Sequence, residues 1–199
     1  MAVTHVQAAL QAATDAVVDL IDVGAGSNGT LEILDDTTVL TSHALAATAF
    51  GAAAASGVAT AAAIGDATAG NTGTADKWKV KDADGDELFA GAAGIKRSIT
   101  AVGTGAGGSF GVAGDHTAEF AAGTEFTVTG STGNDGTYTV ASVSESGGTT
   151  TIVVEADQTV SNATVDGSVH VGQLGLDNTS ITSGQSVSVS AFTYKALRS

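Results

Sequence analysis

Phe126–Ala156 reads FTVTGSTGNDGTYTVASVSESGGTTTIVVEA. Three short runs rich in Thr, Val, Tyr and Ile are separated by GSTGNDG and ESGGT. β-Branched runs of this length, bounded by Gly, Asn, Asp and Ser, cannot sustain a helix and instead specify an antiparallel meander. The chain has no proline, so Gly, Asn, Asp and Ser must form every turn. The polar, β-branched character of the stretch contrasts with the Ala-rich sequence before it, which predicts a small all-β module set inside another domain.

The surrounding chain supplies that other domain. Thr4–Val23 predicts one amphipathic helix, with Val6, Leu10, Ala13, Val17, Leu20 and Ile21 as its apolar stripe. Thr4 and Gln7 have capping-box spacing, and Gly24 stands where a helix stops. Gln7, Gln11, Asp15, Asp19 and Asp22 are expected on its solvent side. Thr30–Leu34 reads as a strand turning at Asp35–Asp36 toward another near Val39–Leu40. The small residues of Ala44–Ala63 suit either state, and strands are expected at Ala46–Phe50 and Gly57–Ile64. Asp76–Ala90 reads as a hairpin with an Asp-Gly turn, closed by Gly91–Gly94.

From Ile95 the pattern changes. Strands are expected at Ile99–Val102, His116–Phe120, Phe126–Thr129, Tyr138–Val143, Thr149–Glu155 and Thr164–Val171, with Gly103–Gly108 as a flexible, mobile hairpin tip. Beyond Gly172 the earlier character returns, ending in a long strand through Val187, Val189, Ala191 and Phe192. The expected fold is mainly β with one N-terminal helix (α+β). A discontinuous base domain, residues 1–94 plus 171–199, lays helix 4–23 on an antiparallel sheet or sandwich. Residues 95–170 form an inserted all-β barrel or sandwich.

Charge limits the partners. Twenty-one acidic residues against seven basic ones give −14, which opposes phosphate-mediated nucleic-acid binding and anionic membranes. The absence of cysteine excludes disulfides, thiolate metal sites and cysteine nucleophiles. No basic leader precedes an apolar core, so no signal peptide is expected. The run Ala44–Ile64 is too interrupted by Thr48, Gly51, Ser56, Gly57 and Thr60 to span a bilayer. Scarce aromatics imply a core built on Val, Ile, Leu and Ala.

No constellation carries chemistry, so no catalytic, cofactor or metal residues are assigned. Asp82, Asp84 and Asp86 around Gly85 alternate like a calcium loop. Counted from Asp82, however, the sixth and twelfth positions hold Glu87 and Ala93 instead of the Gly and Glu that an EF-hand needs. His5, His43, His116 and His170 lack metal-ligand spacing. Ser27 lies in a plain loop, and His43 beside Ser42 has no nucleophile elbow. Gly103–Gly108 lacks the Lys and helix of a phosphate loop. Trp78 on its alternating strand reads as core or interface. Lys77, Lys79, Lys81, Lys96 and Arg97 hold most of the basic charge, either as a solvated face or as a docking edge for an acidic partner.

The helix, the Leu31-Glu-Ile33 strand, the hairpin Trp78-Lys-Val-Lys-Asp-Ala-Asp-Gly85 and the ending Leu176-Asp-Asn-Thr-Ser-Ile-Thr-Ser-Gly-Gln-Ser-Val-Ser-Val-Ser-Ala-Phe192 resemble small virion proteins of tailed bacteriophages. The segments Asp115–Thr124 and Gly130–Val140 resemble a β module of phage structural proteins. The resemblance implies a non-enzymatic particle component, above all a capsid decoration (cement) protein on the outer lattice. Its implied partners are the major capsid protein and copies of itself, with trimers conceivable, and its location the virion, assembled in the host cytoplasm. Met1–Thr4 and Phe192–Ser199 are the segments expected to reach neighbours. A tail tube, tip or fibre-base component is the structural alternative. A module adhering to host glycans through Asn134, Asp135 and Tyr138 is the binding alternative.

Overall fold

The computed structural model describes residues 7–25, 28–54, 57–172, 174–189 and 192–195. The fold is mainly β with a single N-terminal helix. Its contacts divide the chain into two compact units, Met1–Gly91 with Ser180–Ser199, and Ala92–Thr179. These borders differ from the expected 94/95 and 170/171. The strand Glu87–Ile95 runs straight through Gly91–Gly94, where a closing loop was expected, and Leu174–Leu176 pairs in parallel with Ala93–Ile95. Glycine permits this crowding. A Cβ at Gly94 would sit on the Val171 carbonyl oxygen, and one at Gly172 (φ +79°) on that of Ala92.

In the first unit the helix Gln7–Val18 tightens into a 3₁₀ turn, Asp19–Asp22, and stops where Val23 becomes extended and Gly24 takes φ +139°. The proposed Thr4 cap lies outside the described residues. The buried side is Leu10, Thr14, Val18 and Ile21: Leu10 and Ile21 of the expected stripe are buried, whereas Ala13 and Leu20 are exposed and Val17 is half-buried. The reason lies in what the helix packs against. Residues 45–54 are Ala-rich and mostly irregular, so their backbone polar groups need side-chain partners. Ala53 N–H donates to Asp15 and Ala49 N–H to Asp22, while Gln11 donates to the Ala53 carbonyl and Thr14 to that of Gly57. Gln11, Asp15 and Asp22, assigned to solvent, therefore bond to the protein, while Asp19 stays exposed as expected.

The strand Thr30–Asp35 pairs antiparallel with Thr38–Ala44 through a tight turn at Asp36 (φ +50°), and on its other side with Lys77–Lys81, beyond which lies Glu87–Ile95. Of the strands expected in the Ala-rich region only Val58–Thr60 forms, with a lone bridge between Phe50 and Ala61. The long final strand is instead a series of short ones. Ser180–Ile181 pairs with Gly73–Thr74, Ser186–Val187 with Ala67–Thr68, and Thr193–Lys195 with Val58–Thr60. At the centre, Trp78 meets Phe192 edge-on at 4.8 Å and Phe89 at 5.9 Å, while Phe192 also meets Phe50 and Phe89 meets Tyr194.

The second unit contains a closed six-stranded barrel. Around the ring run Ser109–Ala113, Thr149–Val154, Gly136–Ser146, Glu125–Thr129, Ser168–Val171 and Arg97–Gly103, which returns to Ser109–Ala113. All pairs are antiparallel, and closure removes the exposed edges that an open sheet this small would carry. Strict alternation places Phe110, Val112, Phe126, Val128, Tyr138, Val140, Ile152 and Val154 inside. His116–Phe120 is a turn rather than a strand, and it folds back to deliver the fully buried Phe120 edge-on to Phe126. The chain's six Phe, two Tyr and single Trp thus all belong to two rings of aromatic contacts. The buried residues are mostly Val, Ile, Leu and Ala, as the scarcity of aromatics implied.

Candidate functional site

Bonding Gln11, Asp15 and Asp22 to the protein leaves the opposite face to solvent. Ala8, Ala9, Ala12, Ala13, Ala16 and Leu20 are exposed, Val17 is half-buried, and Val23 follows at 57% exposure. Helical spacing places the exposed alanines on one side of the helix, which also carries the exposed Asp19. Solvent-facing helix surfaces in globular proteins are normally polar. The exposed alanines and Leu20 leave an apolar surface beside Asp19 that is open to solvent. The helix has 12 residues, so it is about 18 Å long and offers a footprint of about 200 Å². A stable one-to-one complex needs about 800 Å² per partner.

Among the described residues, Lys77, Lys79, Lys81, Lys96 and Arg97 are each paired with a carboxylate. Glu32, 8% exposed, stands between Lys79 (3.2 Å) and Lys81 (3.1 Å) of the neighbouring strand. Lys77 binds Asp36 at 2.6 Å, which raises its pKa, first through that hydrogen bond. In the second unit Arg97 holds Glu119 at 2.6 Å and Lys96 approaches Asp177 at 3.4 Å. Each of these five cations therefore has a carboxylate of the same unit, which the sequence could not show because the acids lie 22 to 81 positions away.

The acidic hairpin is a turn in its geometry. The Asp82 carboxylate accepts the N–H groups of Asp84 and Asp86, and Asp84 accepts the N–H of Ala25. Among the described residues no three His, Asp or Glu side chains converge as a metal site. His5 and Ser27 lie outside the described residues. His43 is fully buried with Nδ1 3.0 Å from the Gly65 carbonyl, and His116 lies by the Ala113 carbonyl and Glu119. His170 is buried on the outer side of its barrel strand, beside Gly175, with Nδ1 lacking a partner, and desolvation lowers its pKa. The tip Gly103–Gly108 is tied down. Gly105–Ala106 pairs with Thr159–Val160, and the N–H groups of Gly107 and Gly108 bond to the carbonyls of Gln158 and Gly105. Those bonds leave no ring of amides for a phosphate.

Asn134, Asp135 and Tyr138 likewise face their own unit instead of a glycan. Asn134 is 1% exposed. Its amide donates to the Asn162 carbonyl, its side-chain oxygen accepts from Ser161 and Asn162, and its main-chain carbonyl accepts the Tyr138 hydroxyl. Asp135 accepts the N–H of Ser131. Trp78 is core. Phe192 is 3% exposed and Thr193–Lys195 is a paired strand, so this part of the tail does not reach outward, while Met1–Thr4 and residues 196–199 lie outside the described residues.

No family, curated protein or solved structure matches the chain. Among the described residues no helix is long and apolar enough to cross a membrane.

Two surfaces escaped the sequence reading. The outward helix face was hidden because the apolar stripe at Ala13, Val17 and Leu20 was assigned to the core. A polar cleft on the barrel was hidden because its residues converge only through strand register. Alternation could have placed Ser98, Thr129 and Ser168 outside, each beside a buried aliphatic neighbour, but not next to one another.

Proposed function

We propose that this chain is a non-enzymatic structural protein of a tailed-phage particle, binding the outer capsid lattice as a decoration protein. The observation that carries the reading is the outward apolar face of the helix, centred on Ala13, Ala16 and Leu20. A footprint of about 200 Å² contributes only a few kcal/mol, less than the entropy cost of a free one-to-one complex. On a repeating lattice many copies act together, and a small contact per copy is sufficient. The partner is therefore an apolar surface repeated on a capsid subunit. The low positive charge, with five cations already paired, disfavours a nucleic-acid partner.

The test is antibody labelling of purified particles by negative-stain electron microscopy, with Leu20→Asp alongside the native protein. Label spread over the heads, lost in Leu20→Asp while the variant remains folded, is the expected outcome. Label confined to tails, or particles without label, overturns the assignment. Leu20 is 48% exposed, so the substitution should change stability by no more than about 0.5 kcal/mol.

A further inference from the structure

The strands Arg97–Gly103, Ser168–Val171 and Glu125–Thr129 are consecutive in the barrel, and their register sets Ser98 opposite Ser168 and Ser168 opposite Thr129. Directly opposed residues of antiparallel strands project to the same face. Their neighbours Ile99, Val169 and Val128 are buried in the core, so the three hydroxyls stand in a row on the outer face. Thr129 Oγ1 and Ser168 Oγ are 3.3 Å apart. The row floors a cleft of about 550 Å³, a volume ordinary for a small-molecule site.

One end of the cleft is bare backbone at Gly130 (φ +69°) and Gly167 (φ +74°). A Cβ at Gly167 would lie 2.7 Å from both the Ser131 nitrogen and the Thr129 oxygen, so no side chain fits at that position. Lys96 and Asp177 also line the cleft, their ion pair 3.4 Å long and the acid side chain 90% exposed. A pair so exposed contributes little and can part for a ligand.

The chemistry of this lining is selective. Three hydroxyls each donate and accept, the ammonium only donates, and the carboxylate only accepts. Formal charge cancels, which disfavours a phosphate. No apolar side chain lines the cleft, which disfavours a lipid or an aromatic ligand. A ligand whose own groups both donate and accept without net charge fits best. We propose that the cleft binds a neutral oligosaccharide. The site stands on the barrel's geometry alone and does not depend on where the protein sits in a particle. Lacking an aromatic platform, it would bind in the millimolar range.

The test uses the full-length protein and amide chemical-shift mapping with maltotriose, chitotriose and inorganic phosphate, each at about 20 mM. Saturable shifts with at least one sugar, centred on Ser98, Thr129, Gly130, Gly167 and Ser168, are expected. A Ser98→Val/Ser168→Val double variant should weaken them at least about tenfold. Valine suits strand positions, so the rest of the barrel spectrum should persist and show that the fold is intact. Saturation by phosphate alone, shifts centred elsewhere, undiminished binding by the double variant, or no saturable shift with either sugar would each overturn the proposal.

Discussion

Replacing Asn134 with alanine tests whether the turn Ser131–Gly136 is held by side-chain bonding or merely occupies the surface. Asn134 is 1% exposed, and its side chain makes three hydrogen bonds, at 2.8 Å to the Asn162 carbonyl and at 3.0 and 2.9 Å from the Ser161 and Asn162 amides. Each lost bond costs about 1 kcal/mol, with more where the orphaned backbone group stays shielded from water, so Asn134→Ala should cost about 3 kcal/mol. Asn134→Asp keeps the acceptor for both amides but buries a carboxylate against the Asn162 carbonyl, so it should cost at least as much. Tyr138→Phe removes the 3.0 Å bond to the Asn134 carbonyl, for about 1 kcal/mol. The chain's one tryptophan, Trp78, belongs to the other unit, so fluorescence is a poor probe. Urea unfolding followed by far-UV circular dichroism, with hydrogen exchange at Ser161 and Asn162, measures the effect directly. A loss under about 1 kcal/mol for Asn134→Ala, or unchanged exchange at those two amides, would refute the bonding argument.

Gly108→Ala should destabilise the barrel by about 1–3 kcal/mol, because the added methyl meets the Gly103 carbonyl and Val160 Cβ at 2.8 Å; a native urea midpoint would show that the tip yields freely. Glu32→Gln strands Lys79 and Lys81 on a largely covered face and should cost about 2 kcal/mol, less than breaking a fully buried pair. Thermal unfolding in low and high salt measures that cost, and a neutral result would mean water already screens the three charges. Burial holds the His170 pKa below 6.5 in the folded state, so the unfolded chain binds more protons there. Its contribution is intact above 6.5 and is lost as pH falls from that value toward the folded pKa. Urea midpoints taken from about pH 7 to about pH 5 should fall less steeply in His170→Gln than in the native protein, and parallel slopes would remove His170 as the cause.

The alternation that places Phe126, Val128, Tyr138, Val140, Ile152 and Val154 in one core is written in the sequence, because side-chain direction in a strand has a period of two whatever the partner. The turn at Asp35–Asp36 and the hairpin after Lys81 were legible for a related reason: local backbone chemistry selects them. Helix orientation was not. Ala13, Val17 and Leu20 satisfy a helical apolar period as well as Leu10, Thr14, Val18 and Ile21 do. The choice fell to Ala49, Ala53 and Gly57, whose irregular backbone needed Gln11, Thr14, Asp15 and Asp22 as partners.

The same holds for the two surfaces proposed for binding. Sequence by itself determined a β-rich, acidic chain with one helix, short strands and glycine-made turns, since periodicity and turn chemistry act over a few residues. Tertiary structure alone decided that the helix shows its apolar side to solvent, that five cations are already paired, and that Ser98, Ser168 and Thr129 stand in one row. Those outcomes depend on register and on satisfying polar atoms between segments far apart in the chain, and no local pattern encodes them.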